Sequence, residues 1–160
     1  MKYLKAIAAV AVMVLLDQLI KYLAVRYLKP LPDGIPLIPG VFRLLYLENR
    51  GSAFGLLQGQ FVFFTIFTIV ILIGIVFFFR RLQNRSRMFP LRVVLIMIAA
   101  GAIGNFIDRL SHHYVVDFLY FELIDFPIFN VADIYVTLSA GILILLILFY
   151  YKEEDLQGIF

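Results

Sequence analysis

Four aspartates carry most of the chemical potential of this chain: Asp17, Asp108, Asp117 and Asp133. Each sits in or beside a strongly apolar stretch, where an ionisable side chain is costly and usually marks function. Two aspartates a few ångströms apart cannot both ionise easily, so such a pair shares one proton. The ionised member can then activate a water while the protonated member hydrogen-bonds the carbonyl under attack. A pair of this kind hydrolyses a peptide with neither a nucleophilic side chain nor a metal. Which two of the four acids form it stays open at this point. The chain has no Cys, which removes disulfides, thiolate metal sites and a cysteine nucleophile. His112 and His113 are adjacent and lack other soft ligands, so no metal site and no cofactor is expected.

The elements that must position these acids follow from composition. Of the 160 residues, 63 % are apolar and only 16 % charged, against about 25 % charged in soluble domains. A globule this apolar cannot cover its surface with polar groups, and its expected solvent is lipid. A helix needs about 20 apolar residues to cross about 30 Å of hydrocarbon. Four stretches qualify, at 4–28, 61–79, 91–110 and 130–151, the last two with apolar cores Leu91–Ile107 and Val131–Tyr151. All read as helices, because an isolated strand leaves its backbone groups unsatisfied in lipid. Segments 29–60, 80–90 and 111–129 join them into a single membrane domain over 1–160. Lys2 and Lys5 precede an apolar run as in a signal peptide. No small-residue cleavage pattern follows Leu16, however, and the first span is expected to be retained.

Orientation follows from the basic residues. With four spans, one side holds Lys2, Lys5, Arg80, Arg81, Arg85, Arg87, Arg92 and Lys152, and the other holds Arg26, Lys29, Arg43, Arg50 and Arg109. That bias puts both termini in the cytoplasm. At about 1.5 Å per residue, Asp17 then lies about 20 Å above Leu4, Asp108 about 26 Å above Leu91, and Asp133 about 3 Å below the outer end of its span. Asp117 sits in the loop between the third and fourth spans, so all four acids converge near the outer surface. The outer segments are structured too. Residues 30–40 hold four of the six prolines and turn repeatedly without helix. Val41–Leu47 reads as a strand, Asn49-Arg50-Gly51 as a turn and Ser52–Leu57 as a return strand, an apolar hairpin lying on the membrane. Val115–Phe121 is a further strand-like run. The expected fold is an all-α integral membrane protein of four transmembrane helices with a small outer β-hairpin.

Plainer roles compete for the same residues. Asp17 and Lys21 are spaced i,i+4 with the acid first, the favourable order for a helical ion pair. Asp108 and Arg109 can mark a helix end at the interface. Asn130 can cap the fourth helix, with Asp133 in its first turn. Gly101 and Gly104 allow close helix packing. Ser52 with Lys21 as base would make another hydrolase, although Asp17 beside Lys21 makes that amine a poor base. Intramembrane acids also line ion pathways, but the inner halves of the spans offer no polar relay.

Five segments together resemble the lipoprotein signal peptidases (signal peptidase II): Asp17-Gln18 with Lys21, Asn49-Arg50-Gly51-Ser52-Ala53-Phe54-Gly55, Gly101 to Arg109, Val115-Val116-Asp117-Phe118, and Phe129-Asn130-Val131-Ala132-Asp133. The resemblance implies an aspartic endopeptidase of the bacterial cytoplasmic (inner) membrane with its site near the outer face. Its substrate would be a prolipoprotein whose cysteine carries a diacylglyceryl group, cut just before that cysteine. By position in these motifs Asp117 and Asp133 match the catalytic pair. Asp17, Lys21, Asn49, Gly51, Ala53, Phe54, Asn105, Asp108, Arg109, Asn130 and Ala132 match residues that shape or support the site. Ser52 stands where the family often has Ala. The resemblance also implies membrane lipid as a partner, globomycin-type inhibitors in the same cleft, and a surface-lying β-cradle; the reading includes no nucleic acid and a monomeric state.

Overall fold

The structure, a computed structural model, describes residues 2–51, 59–82 and 86–156. Its helices are α1 (Lys2–Tyr27), α2 (Phe61–Arg81), α3 (Phe89–His112) and α4 (Val131–Leu145), the last continued by a π-helical turn over Leu146–Tyr150. Each of the four is long and apolar enough to cross a membrane. Pro90 opens α3, where its missing N–H costs no helical bond. The bundle is apolar outside and polar within: Leu15, Ile73 and Leu148 are about two-thirds exposed, whereas Asp17, Lys21, Asp108 and Asn130 are almost wholly buried.

Helix α3 is the centre, packing against α1, α2 and α4. Its buried face is small, with Ala99, Ala100, Gly101 and Gly104, so neighbouring backbones approach closely. A Cβ added at Gly101 would stand 2.5 Å from the Ala132 carbonyl oxygen, and one at Gly104 would stand 2.5 Å from Asp17 Oδ2. At its C-terminal end His113 takes a left-handed conformation (φ 63°) and returns its N–H to the Arg109 carbonyl at 3.0 Å. The chain therefore reverses at once into a strand.

Three strands form one antiparallel sheet, β1 (Ile35–Ile38), β2 (Phe42–Asn49) and β3 (Val115–Phe121), in that order. This corrects the expected hairpin. The first partner of β2 is β1, inside the proline-rich stretch, joined by a Pro39-Gly40 turn with Gly40 at φ 72° and Val41 N–H on the Ile38 carbonyl at 2.9 Å. The second partner is β3, paired from Phe42↔Phe121 to Asn49↔Val115. Ser52–Leu57, expected to return as a strand, lies outside the described residues, and both neighbours of β2 are already taken. The chain leaving β3 turns through Glu122–Ile124, and Phe129 pairs back onto Leu119, which brings Asn130 beside the strand.

At the opposite end of the bundle the chain after α4 closes over the α2–α3 connection. The Tyr151 hydroxyl donates to the Arg87 carbonyl at 3.1 Å, and Arg87 pairs with Asp155 at 2.7 Å.

The close α3–α4 approach sets a test. Gly101→Ala must push α4 backbone away and is expected to cost about 1–3 kcal/mol, read as a lower midpoint of thermal unfolding in detergent. Gly141→Ala meets nothing within 4 Å and is expected to leave the midpoint unchanged or slightly raised. Equal effects of the two would mean that α3 and α4 are not packed as described.

Candidate active site

One lysine organises the buried polar residues. Lys21, one turn after Asp17 on α1, places Nζ 3.0 Å from Asp17 Oδ2 and 3.0 Å from Asp108 Oδ2, and donates to Asn105 Oδ1 at 2.8 Å. Three donors thus meet three acceptors. Each acid of the triad also accepts a backbone N–H from another element. Ala132 N–H donates to Asp17 Oδ1 at 2.9 Å, and Val116 N–H donates to Asp108 Oδ2 at 3.1 Å. The second bond exists because His113 turns the chain straight back beside the last turn of α3. Gln18 ties the triad further, donating to Asp108 Oδ1 at 2.9 Å and to the Gly104 carbonyl at 3.2 Å.

The other two acids meet around the start of α4. Asn130 is its N-cap: Asn130 Oδ1 accepts the Asp133 N–H at 3.1 Å, and Asp133 Oδ2 accepts the Asn130 N–H at 3.1 Å. The cap expected as the plainer role of these residues is present. Asp133 Oδ1 remains free of the cap and accepts Asn105 Nδ2 at 2.8 Å. Asp117, buried on β3, accepts Asn130 Nδ2 on Oδ1 at 2.6 Å and Asn49 Nδ2 on Oδ2 at 2.8 Å. Asn49 reaches it diagonally, because Leu47 faces Asp117 and Asn49 faces Val115 across the sheet, which puts Asn49 and Asp117 on one side. The Asn49 oxygen accepts the Gly51 N–H at 2.9 Å, which leaves its NH2 for the acid.

Asp117 and Asp133 open on a cleft of about 680 Å³ between α2 and α4, with α3 as its floor. Its walls are apolar, including Phe67, Ile71, Ile98 and Leu138, with Thr68 and Thr137 among them. Its sheet end is polar, with Asn49, Asn105 and Arg109 beside the two acids. The Arg109 guanidinium lies 4.6 Å over the Phe64 ring and donates to the Gly51 carbonyl at 3.3 Å. Asp17, Lys21 and Asp108 stand behind Asn105, on the far side from the cleft. The four acids are thus divided: two are matched to a lysine and two face an open cavity. Among the described residues no group of three or more His, Cys, Asp or Glu side chains is placed to hold a metal ion.

Of the residues singled out from sequence, Asp17, Lys21, Asn49, Gly51, Asn105, Asp108, Arg109, Asp117, Asn130, Ala132 and Asp133 all fall in this one assembly. Ala53 and Phe54 lie outside the described residues, as does Ser52, the alternative nucleophile; all three donors of Lys21 are in any case engaged. Two contributors were missed. Gln18 bridges both acids of the triad, and a carboxamide next to an intramembrane aspartate was a readable sign. Phe64 offers its face to Arg109, which one phenylalanine among 17 could not announce.

Four helices long and apolar enough to cross a membrane, with two acids on a cleft among them, mark a multi-pass membrane protein. A family model described as signal peptidase (SPase) II matches residues 9–149, and the chain belongs to that family. The lipoprotein signal peptidase of Brevibacillus brevis is 49 % identical over 135 residues, covering 84 % of this chain and 89 % of the relative. That of Streptococcus thermophilus is 44 % identical over 147 residues, covering 92 % of each. A bacterial membrane enzyme solved by the in meso method at 2.3 Å resolution is similar with a TM-score of 0.81 and 35 % identity, over 93 % of this chain and 92 % of that one.

Burial, reinforced by the neighbouring Asp133, pushes the Asp117 carboxyl up to about 7, against the pull of Asn49, Asn130 and Lys21. An acid with a raised folded-state value binds its proton more tightly in the fold than in the unfolded chain. Its contribution to stability is therefore full below about pH 4 and is lost as pH rises to about 7, by at most about 4 kcal/mol for a shift of this size. Asp117→Asn removes this loss. Thermal unfolding is expected to show the variant gaining on the wild type between pH 5 and pH 8, and a constant difference over that range would refute the raised value.

Proposed function

We propose that this chain is an aspartic endopeptidase that removes the signal peptide from diacylglyceryl-modified prolipoproteins by cutting before the lipidated cysteine. The observation that carries the reading is the placement of Asp117 and Asp133 on the polar end of one apolar cleft, with a single residue, Asn130, donating to both carboxylates. The pair holds one proton between its two carboxyls, so its titration belongs to the pair. The ionised carboxylate takes a proton from a water as that water attacks the scissile carbonyl. The protonated one hydrogen-bonds the carbonyl oxygen, where negative charge develops. Proton return to the leaving amine completes the cut and restores the shared proton. Asn49, Asn105 and Asn130 hold the carboxylates without neutralising them.

The substrate class comes from the relatives, whose names are lipoprotein signal peptidase, and the cleft suits it. An apolar trough between two spanning helices is open to a chain whose acyl groups stay in the bilayer, delivered by lateral diffusion. In this reading the enzyme sits in the bacterial cytoplasmic membrane with both termini inside and the sheet end at the outer face, where the mature lipoprotein leaves. It works as a monomer, and globomycin-type inhibitors occupy the same cleft.

Two measurements test the reading with purified enzyme. Asp117→Asn and Asp133→Asn keep side-chain size, and each is expected to lower kcat by roughly 10²- to 10⁴-fold, with the double variant no worse because the two act as a unit. Near-wild-type turnover in either would remove that residue from the chemistry. Diacylglyceryl-modified prolipoprotein is expected to be cleaved with a kcat/KM at least tenfold above that of the unmodified form, about 1.4 kcal/mol of recognition; equal values would take the lipid out of recognition.

A further inference from the structure

We propose that Lys21 is a positioning residue for the reacting pair, acting through the amide of Asn105; this rests on the assignment of Asp117 and Asp133 as that pair. Pairing with Asp17 and Asp108 would satisfy the charge of the lysine. The structure shows a third bond, from Nζ to Asn105 Oδ1 at 2.8 Å. Asn130 Nδ2 donates to the same oxygen at 3.1 Å. With two donors on its oxygen the Asn105 amide has one orientation, and its Nδ2 is delivered to Asp133 Oδ1 at 2.8 Å. Rotating the amide by half a turn would set NH2 against the ammonium and the Asn130 NH2, and oxygen against the Asp133 carboxylate, so every contact would become repulsive.

The order then passes along the network. Asn130 is held at Oδ1 by the Asp133 N–H, and its Nδ2 is shared between Asn105 Oδ1 at 3.1 Å and Asp117 Oδ1 at 2.6 Å. One cation on α1, set back from the cleft, thereby decides which way Asn105 presents its N–H to Asp133, and Asn130, oriented by its cap, carries the same network on to Asp117. A lysine that only neutralised Asp17 and Asp108 would be indifferent to Asn105.

A double-mutant cycle separates the two roles. Lys21→Met alone would leave two buried carboxylates without a cation, and neutralising both acids would leave the lysine unmatched. The parent is therefore the full-length Asp17→Asn protein, in which Lys21 and Asp108 form a one-to-one pair and the Asn oxygen can still accept the Ala132 N–H, and each Lys21→Met variant also carries Asp108→Asn. Into it go Lys21→Met, Asn105→Ala and both together, assayed on a diacylated prolipoprotein after thermal unfolding has been recorded. Lys21→Met is expected to lower kcat about 10- to 100-fold, the scale of lost supporting bonds around a site, with KM within about twofold of the parent. Adding it to Asn105→Ala should cost no more than about a further twofold. Parental kcat in folded Lys21→Met, or losses that multiply when combined, would overturn the proposal. A Lys21→Met protein that fails to fold in this charge-balanced background would assign the lysine to architecture alone and overturn it as well. Asp133→Asn in the same parent separates the two levels: cleavage that survives there sinks the aspartic reading and not merely the role of Lys21.

Discussion

A charge inside a bilayer-spanning bundle has to be matched on the spot, and this fold is arranged around one such match. Lys21 meets Asp17 on its own helix and Asp108 on α3, both at 3.0 Å. Through the second oxygen of Asp17 the match extends to the first turn of α4, and Asp108 carries it to β3. Four elements thus share one ion triad. Breaking a buried pair by removing one partner costs about 3–5 kcal/mol, a large part of the 5–15 kcal/mol that typically separates folded from unfolded. Apolar packing sets the spacing of the helices, through Gly101 and Gly104. The triad sets their axial register, because an axial slip by one turn of α1 would move Asp17 about 5 Å from the N–H it accepts.

Once the register is set, the position of the cleft follows. The second face of α3 is shared by α2 and α4, and the space between those two is lined by phenylalanines and aliphatics until it reaches the sheet end. There the sheet supplies what a helix bundle alone lacks. Asp117 sits on a strand, outside the four apolar helices, while Asp133 stands in the first turn of α4 next to the same asparagine. Under the proposed function, a lipid-linked peptide would keep its chains in the apolar part and present its backbone to the polar end.

Much of this was legible in sequence, for identifiable physical reasons. The four helices follow from apolar runs of about 20 residues, since a helix satisfies its backbone groups within one segment and an isolated strand does not. β3 was found with its observed limits, because Val115–Phe121 is β-branched and aromatic between turn residues. The Asp17–Lys21 pair and the Asn130–Asp133 cap are local, spaced four and three residues apart, and local spacing is what a sequence displays. What failed to show was long-range. The sequence pattern gives β2 a local partner after it in the chain, whereas its local partner is β1 before it, hidden among prolines, and its other edge pairs with the remote β3, Asn49 against Val115, a choice made by how α3 returns the chain at His113. The second acid of the lysine, Asp108, is equally remote. Residue chemistry and depth alone left four acids at one level, and the resemblance singled out Asp117 and Asp133; the packing of α1 on α3 supplies the physical reason, since it neutralises the other two.

That separation explains why the site is built from asparagines. A lysine in direct contact with Asp117 and Asp133 would favour two ionised carboxylates, and the shared proton on which the proposed hydrolysis depends would be lost. Leaving the acids with no donors would let them swing in an open cleft. An amide between the lysine and the acid avoids both outcomes: Asn105 takes the ammonium on its oxygen and gives an N–H to Asp133, each at 2.8 Å, so the cation supplies direction while its charge stays one side chain away. Asn49 and Asn130 repeat the device, each with its oxygen tied to a backbone N–H and its NH2 turned to Asp117. Aspartate in any of these places would add a third acid to the pair, and leucine would leave carboxylates buried without donors. Asparagine alone among residues of this size offers an acceptor to anchor and a neutral donor to aim.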